Sequence, residues 1–132
     1  MKWLNHSTFI MGGILWHVVM VPPNSDQLID RTGTLTVATT DPLTRTVYLS
    51  QDLDGEFLAR VVIHELGHCA MVSFGLIDEI RQLVPPENCI AMEEFCCNLI
   101  ADYGYTIYSD AYRILGNEAL YLVPVELEKV IA

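Results

Sequence analysis

The segment His64-Glu65-Leu66-Gly67-His68 has the residue types and spacing of a site that binds a metal and transfers a proton. On an α-helix, residues four apart lie about 40° apart around the axis and one turn along it, so both imidazoles can reach one ion. Glu65 is about 100° from His64, which suits it to taking a proton from water on that ion rather than to binding the ion. The motif therefore predicts metal-assisted hydrolysis rather than a pair of hydrogen-bonded core histidines beside a surface glutamate.

A catalytic zinc site needs a third protein ligand and an open fourth position. Histidine does not supply it, because none follows His68, and His6 and His17 lie upstream, where structural or substrate-facing roles are expected. A carboxylate must complete the set, and Glu93 and Glu94 lie in an otherwise apolar helical stretch. Helical phase favours Glu94, because its face of the helix carries mostly small residues. These allow close approach to the helix that carries His64 and His68 (the metal helix). Glu93 is then expected to be a helix-surface charge.

Other residues bear on the same site. Asp78 and Glu79, on a short polar segment after the metal helix, are alternative carboxylate ligands. Asn98, one turn after Glu94, is expected to support a ligand through a hydrogen bond. The candidates for the donor that stabilises the oxyanion are Tyr48, Tyr103 and Tyr105. Tyr48 is preferred because its strand precedes the metal helix, where an extended peptide could add as a further strand.

Strands are predicted in the N-terminal part of the chain. Alternating or β-branched apolar residues mark strands at 14–21, 34–40 and 45–50. Pro42 favours a turn at 41–44, so the last two strands should form a hairpin. In the second of them, Thr40 is expected on the edge or solvent side.

After Ser50 the apolar period changes to 3.6 residues, which predicts helices. A helix over 56–74, capped by Asp52 or Asp54 and ended by Gly75, carries the motif and is apolar nearly all round, so it should be buried between layers. Further helices are predicted at 76–83, 87–103 and 106–115, with Gly104 kinking or ending the helix at 87–103. The order predicts an α+β fold, in which a small antiparallel sheet of about three strands packs on the central metal helix.

Composition limits the classes of function. The 132 residues predict one domain, 1–132, and 52% hydrophobic against 18% charged residues excludes a disordered chain. The net charge of −10 disfavours nucleic acid and anionic lipid as partners, and a homo-oligomer is compatible with the sequence. The longest apolar run, 9–21, is shorter than a membrane-spanning helix requires.

The cysteines and the N-terminus predict a compartment. Cys96 and Cys97 are adjacent, which is poor geometry for disulfides, and the cysteines lie in apolar helical patterns. No signal-peptide pattern of basic start, apolar stretch and small-residue cleavage site is recognised. Reduced thiols in a cytoplasmic protein are therefore expected.

Four segments carry a resemblance to a known family. They are 39–42 (TTDP), 45–49 (RTVYL), 62–69 (VIHELGHC) and 93–104 (EEFCCNLIADYG). Over roughly 16–104, the chain resembles small prophage-encoded zinc metallopeptidases of the ImmA/IrrE kind, which are gluzincin-like and often carry a helix-turn-helix domain or cleave a repressor-type regulator. The resemblance implies a minimal zincin-like fold, with His64, His68 and Glu94 as zinc ligands and Glu65 as general base.

The resulting hypothesis is a zinc metalloendopeptidase of phage or mobile-element origin that acts on a protein or peptide substrate. The alternative is a catalytically silent, zinc-stabilised interaction module or phage accessory protein that keeps the motif for folding. Glu65 discriminates between them, because a purely structural metal site has no use for an unligated glutamate beside the ion.

Overall fold

The computed structural model describes residues 5–121, so the ends of the expected 1–132 domain, 1–4 and 122–132, lie outside the described residues. The described strands are β1 (His6–Met11), β2 (Ile14–Val21), β3 (Ala38–Asp41) and β4 (Thr46–Ser50). The α-helices are α1 (Gly55–Ser73), α2 (Leu76–Leu83) and α3 (Cys89–Leu115), and short 3-10 turns occupy Asp26–Leu28, Pro86–Asn88 and Gly116–Tyr121. The α+β class is confirmed.

The sheet differs from the expected antiparallel sheet of about three strands. Its order is β1-β2-β4-β3, with β1/β2 and β3/β4 antiparallel and β2/β4 parallel. The two antiparallel pairs are hairpins, which local turn residues specify. The parallel pairing joins strands that are far apart along the chain, so no local sequence pattern predicts it.

The β1/β2 hairpin was absent from the strand prediction, although its turn has a clear signal. Met11 pairs with Ile14 across Gly12 and Gly13, whose φ angles are 57° and 77°. A two-residue hairpin loop of this kind requires positive φ at both positions, which glycine adopts without steric cost. The Gly-Gly pair therefore divides the long apolar run into two strands.

The predicted strand 34–40 is only partly correct. β3 begins at Ala38, and the preceding residues close a turn whose ends meet in an isolated bridge between Ile29 and Leu35. The hairpin of β3 and β4 around Pro42 is confirmed. Thr40 was expected on the edge or solvent side; it lies on the edge strand, but its side chain points towards α1, where its hydroxyl reaches Glu65.

The helix α1 lies between the sheet and the other helices, as its apolar pattern on nearly all sides predicts. Val61 and Cys69 of α1 join sheet residues in one core cluster, and Met71 joins α2 and α3 in a second. Trp16 of β2 is fully buried, and its indole N–H donates to Ser73 Oγ at 2.8 Å, which ties the sheet to the end of α1.

Both ends of α1 lie close to their predicted positions. Asp54 occupies the N-cap position, although its side chain makes no capping hydrogen bond, and Asp52 accepts a hydrogen bond from Ser50 instead. Phe74 follows the last residue of α1, and Gly75 with φ of 69° then separates it from α2.

The helix α3 runs unbroken through Gly104, so the two helices predicted at 87–103 and 106–115 are one. A single interior glycine costs a helix only about 1 kcal/mol, which tertiary packing readily offsets. Near the end of α3, Tyr108 donates its hydroxyl hydrogen to the Ala119 carbonyl at 3.0 Å, so the following turn packs back on the helix. Among the described residues no single helix meets the length and apolarity needed to cross a membrane; only α1 and α2 taken together do, and they meet at 86°.

Candidate metal centre

Three predicted ligands meet at one point between α1 and α3. His64 and His68 present their Nε2 atoms 3.2 Å apart. Glu94 of α3 places one carboxylate oxygen 3.2 Å from His64 Nε2 and the other 3.1 Å from His68 Nε2. These residues form the group that can hold a metal ion, and the helical phase that favoured Glu94 over Glu93 as third ligand agrees with this placement.

The donor set fits a metal ion. In tetrahedral coordination with bonds of about 2.0–2.1 Å, neighbouring ligand atoms are separated by about 3.3 Å, close to the spacing found between the three side chains. Two imidazole lone pairs facing each other beside a carboxylate repel unless a proton or a cation lies among them. His64 Nδ1 is buried and has no hydrogen-bond partner among the described residues, so the polar contacts of this ring all run through Nε2.

The pKa shifts of His68 and Glu94 also indicate that this site favours positive charge. Burial lowers the pKa of His68, but its contacts with Cys97, Glu93 and Glu94 outweigh that effect, and the net shift is upward. The hydrogen bond from His64, followed by that from His68, holds the pKa of Glu94 well below its usual range. A cation bound at this point satisfies the carboxylates in place of the proton.

Glu65 lies beside the three ligands without joining them. Its side chain is buried, and Oε2 lies 3.8 Å from His64 Nε2. Thr40 of β3 donates its hydroxyl hydrogen to the other oxygen, Oε1, at 2.8 Å. Burial raises the pKa of Glu65, although the Thr40 hydrogen bond and the charges of the histidines oppose the shift. A carboxylate with a raised pKa, oriented by one partner, has the properties of a general base.

Glu93 is not the helix-surface charge that helical phase suggested. It is 7% exposed, and its Oε2 accepts a hydrogen bond from His68 Nδ1 at 2.5 Å. Arg31, from the connection between β2 and β3, donates from Nη1 to Glu93 Oε1 at 3.0 Å and from Nη2 to Glu94 Oε1 at 3.3 Å. Burial raises the pKa of Glu93, but hydrogen bonds from His68 and Arg31 lower it more. The carboxylate therefore orients His68 instead of facing solvent.

One supporting residue differs from its expected role, and the two alternative ligands on α2 lie outside the ligand group. Asn98 accepts a hydrogen bond from Arg60 at 3.2 Å rather than supporting a ligand. Asp78 is exposed and pairs with Arg81 on α2, and Glu79 is also exposed, so neither belongs to the ligand group. The acidic residues of α2 are solvated charges.

The candidate metal ligands line a cleft of about 920 Å³. Of the three tyrosines considered as oxyanion donors, only Tyr48 lines it, while Tyr103 and Tyr105 are 59% and 83% exposed on α3. β4, which carries Tyr48, is an interior strand and cannot accept a peptide as a further strand. The edge strand beside the cleft is β3.

The remaining histidines lie apart from the ligand group, whereas Cys97 contacts His68 without belonging to the group. His6 and His17 contact each other on neighbouring strands, with Nε2 and Nδ1 3.1 Å apart. The four cysteines are free, as expected, and Cys69 and Cys97 are buried.

Arg31 and the site-facing side chain of Thr40 were not predicted from the sequence. Thr40 had a signal, since it stands in one of the segments that carry the family resemblance. Arg31 had none, because it belongs to a polar connection without periodicity and reaches the site from 62 residues before Glu93.

No family model, curated protein or solved structure matches the chain. Function therefore rests on the chemistry of the residues that meet in the cleft.

Proposed function

We propose that this protein is a zinc-dependent metallopeptidase that hydrolyses peptide bonds in a protein substrate. The observation that carries the proposal is Glu65, a buried carboxylate held by Thr40 next to three converging metal ligands and outside their set. A metal site that served folding alone would have no need of a buried, unligated carboxylate, since burying a charge is costly.

Zinc is the metal that this donor set suits best. Two imidazoles and one carboxylate, His64, His68 and Glu94, form the ligand combination of several catalytic zinc sites, which leave one position open. The set contains no thiolate, because Cys97, although close to His68, is not among the ligating residues. Magnesium and calcium prefer oxygen ligands such as carboxylates and water, so the two imidazoles of this site disfavour both ions.

The position of the site beside an edge strand supports an extended peptide as substrate. β3 pairs with β4 on one side and with no strand on the other within residues 5–121. An extended chain can hydrogen-bond to such an edge, with its backbone supplying affinity independently of side chains. Residues 39–41 of this strand line the same cleft as the ligands, so a peptide bound there would lie close to Glu65.

Glu65 would act as general base and then as general acid. It takes a proton from the attacking water and passes that proton to the leaving amine as the peptide bond breaks. Thr40 keeps one carboxylate oxygen fixed, which leaves the oxygen nearer His64 to exchange the proton. Zinc held by His64, His68 and Glu94 would supply Lewis-acid polarisation of the scissile carbonyl and would lower the pKa of water.

The proposal extends to origin and compartment. The resemblance to ImmA/IrrE-type proteins supports a phage or mobile-element source, and four free cysteines are typical of a reducing cytoplasm. The acidic chain, with a net charge of −10, supports a protein partner rather than a nucleic acid.

A peptide library generated from a proteome digest tests the activity without a known substrate. Zinc-loaded wild type should generate new peptide termini detected by mass spectrometry, a chelator should abolish them, and added zinc should restore them. Glu65→Gln should bind zinc and generate none. A wild-type protein that binds one zinc and cleaves nothing would be the silent accessory module, and one that binds no zinc would contradict the proposal entirely.

A further inference from the structure

Arg31 is presented by a turn that is itself well ordered by hydrogen bonds. The ends of the turn, at 29 and 35, meet in an antiparallel bridge. Inside it, the Asp30 carboxylate accepts hydrogen bonds from the backbone amides of Thr32 and Thr34 at 2.9 and 3.0 Å. The hydrogen bond from the Thr32 hydroxyl, followed by those from the backbone amides, holds the pKa of Asp30 below its usual range. The turn thus fixes the backbone on both sides of Arg31.

The guanidinium of Arg31 contacts both glutamates that touch His68. Nη1 donates to Glu93, whose other oxygen accepts from His68 Nδ1. Nη2 donates to the Glu94 oxygen that lies 3.1 Å from His68 Nε2. A planar guanidinium presents its donors in a fixed fork, so it sets the orientation of two carboxylates as well as their charge.

Arg31 also balances the charge of the site. The carboxylates of Glu65, Glu93 and Glu94 carry three negative charges when ionised, and a divalent ion supplies only two positive charges. The guanidinium supplies the third next to Glu93, which is buried, and a buried charge needs compensation. Arg60 of α1 pairs with Asp102 and Asn98 and makes no hydrogen bond or ion pair with the three glutamates.

We infer that Arg31 is a positioning residue of the metal centre, which holds Glu93 and Glu94 in the orientation that lets His68 and Glu94 bind the ion. The inference rests on the metal site of the proposed function but needs no substrate. It makes the turn between β2 and β3 part of the metal centre, although that turn contributes no ligand.

Cobalt(II) titration of the purified protein tests the inference through two readouts, the dissociation constant and the visible absorption of the bound ion. Arg31→Met should weaken binding about 10–100-fold, the usual effect of losing a group that orients a ligand, and should alter the spectrum. Arg31→Lys should restore part of the affinity, since it keeps the charge but loses the fork. Arg60→Met is the matched control, because it removes the same charge from a similarly exposed side chain (38% against 43%).

The outcomes separate this inference from the proposed function. Wild-type affinity and spectrum in Arg31→Met would overturn the positioning role and leave the metallopeptidase proposal intact. Equal weakening in Arg31→Met and Arg60→Met would also overturn it, since net charge alone would then explain the effect. A wild-type chain that binds no cobalt or zinc would remove the metal centre and both proposals with it.

Discussion

Glu93 Oε2 accepts a hydrogen bond from His68 Nδ1 at 2.5 Å, so the first of two adjacent glutamates orients the histidine that the second one faces. With its proton on Nδ1, the imidazole keeps a lone pair on Nε2 for a metal. Neighbouring residues on one helix turn therefore have different tasks. Glu94 belongs to the ligand group, and Glu93 sets the tautomer and the orientation of a ligand.

Replacing Glu93 tests this division. Glu93→Ala should lower zinc affinity about 10–100-fold, because His68 loses the acceptor that orients it. Glu93→Gln, which keeps an acceptor but not the charge, should lose less. Competition titration with a chromophoric chelator measures the zinc affinity of both variants. Glu79→Ala, at an exposed position of α2, is the control. Unchanged affinity in Glu93→Ala would return Glu93 to the role of a surface charge.

Glu94→Ala should lose zinc more severely than any Glu93 variant. It removes one of three ligands, and zinc that binds only the native state stabilises that state by mass action. Excess zinc should therefore raise the melting temperature of wild type and leave that of Glu94→Ala nearly unchanged. Asp78→Ala should respond like wild type, because Asp78 pairs with Arg81 away from the site. A normal zinc-dependent shift in Glu94→Ala would exclude Glu94 as a ligand.

Glu65→Gln should separate metal binding from hydrolysis. The amide keeps the size of the side chain and still accepts the hydrogen bond from Thr40, but it cannot take up a proton. Zinc affinity should stay within a few-fold of wild type, while hydrolysis of any identified peptide is lost. His64→Ala is the comparison that should lose both. Wild-type cleavage by Glu65→Gln would assign the base elsewhere.

Two glycine substitutions should have opposite effects on stability. A Cβ at Gly67 would lie 3.0 Å from Cys97 Sγ and 3.3 Å from its Cα, so Gly67→Ala should destabilise by about 1–3 kcal/mol through overpacking. Gly104→Ala meets only Ile100 at 3.6 Å and should stabilise by up to about 1 kcal/mol through helix propensity. Urea unfolding of the two variants gives the signs. Stabilisation by Gly67→Ala would show that α1 and α3 are farther apart than these distances to Cys97 indicate.

Thiol reactivity should distinguish the cysteines. Burial, with a smaller contribution from the charge of Glu65, raises the pKa of Cys69 to about 12, so this thiol stays protonated and unreactive at pH 8. Iodoacetamide should first label Cys89 and Cys96, which are partly exposed. Peptide mapping after brief labelling measures the order, and the denatured protein, in which all four react, is the control. Early labelling of Cys69 in the native protein would contradict its burial.

Much of this protein could be predicted where chemistry and structure are local. His64, Glu65 and His68 lie within one helical turn or so, so their relative positions follow from helix geometry once the apolar period shows a helix. The phase of α3 likewise favoured Glu94 over Glu93, and the hairpin at Pro42 follows from turn residues. Each of these predictions depends only on the pattern of residues within a few positions of one another.

The remaining features depend on contacts between distant parts of the chain. The parallel β2/β4 pairing places β3 at the sheet edge and turns Thr40 towards Glu65, 25 residues away. The turn that carries Arg31 reaches Glu93 across 62 residues. The turn and α1 together bury Glu93, which an isolated helix would leave exposed. Helix phase and turn propensity determine which side chains share a face, but only the packing of α1, α3 and the sheet decides what each face meets.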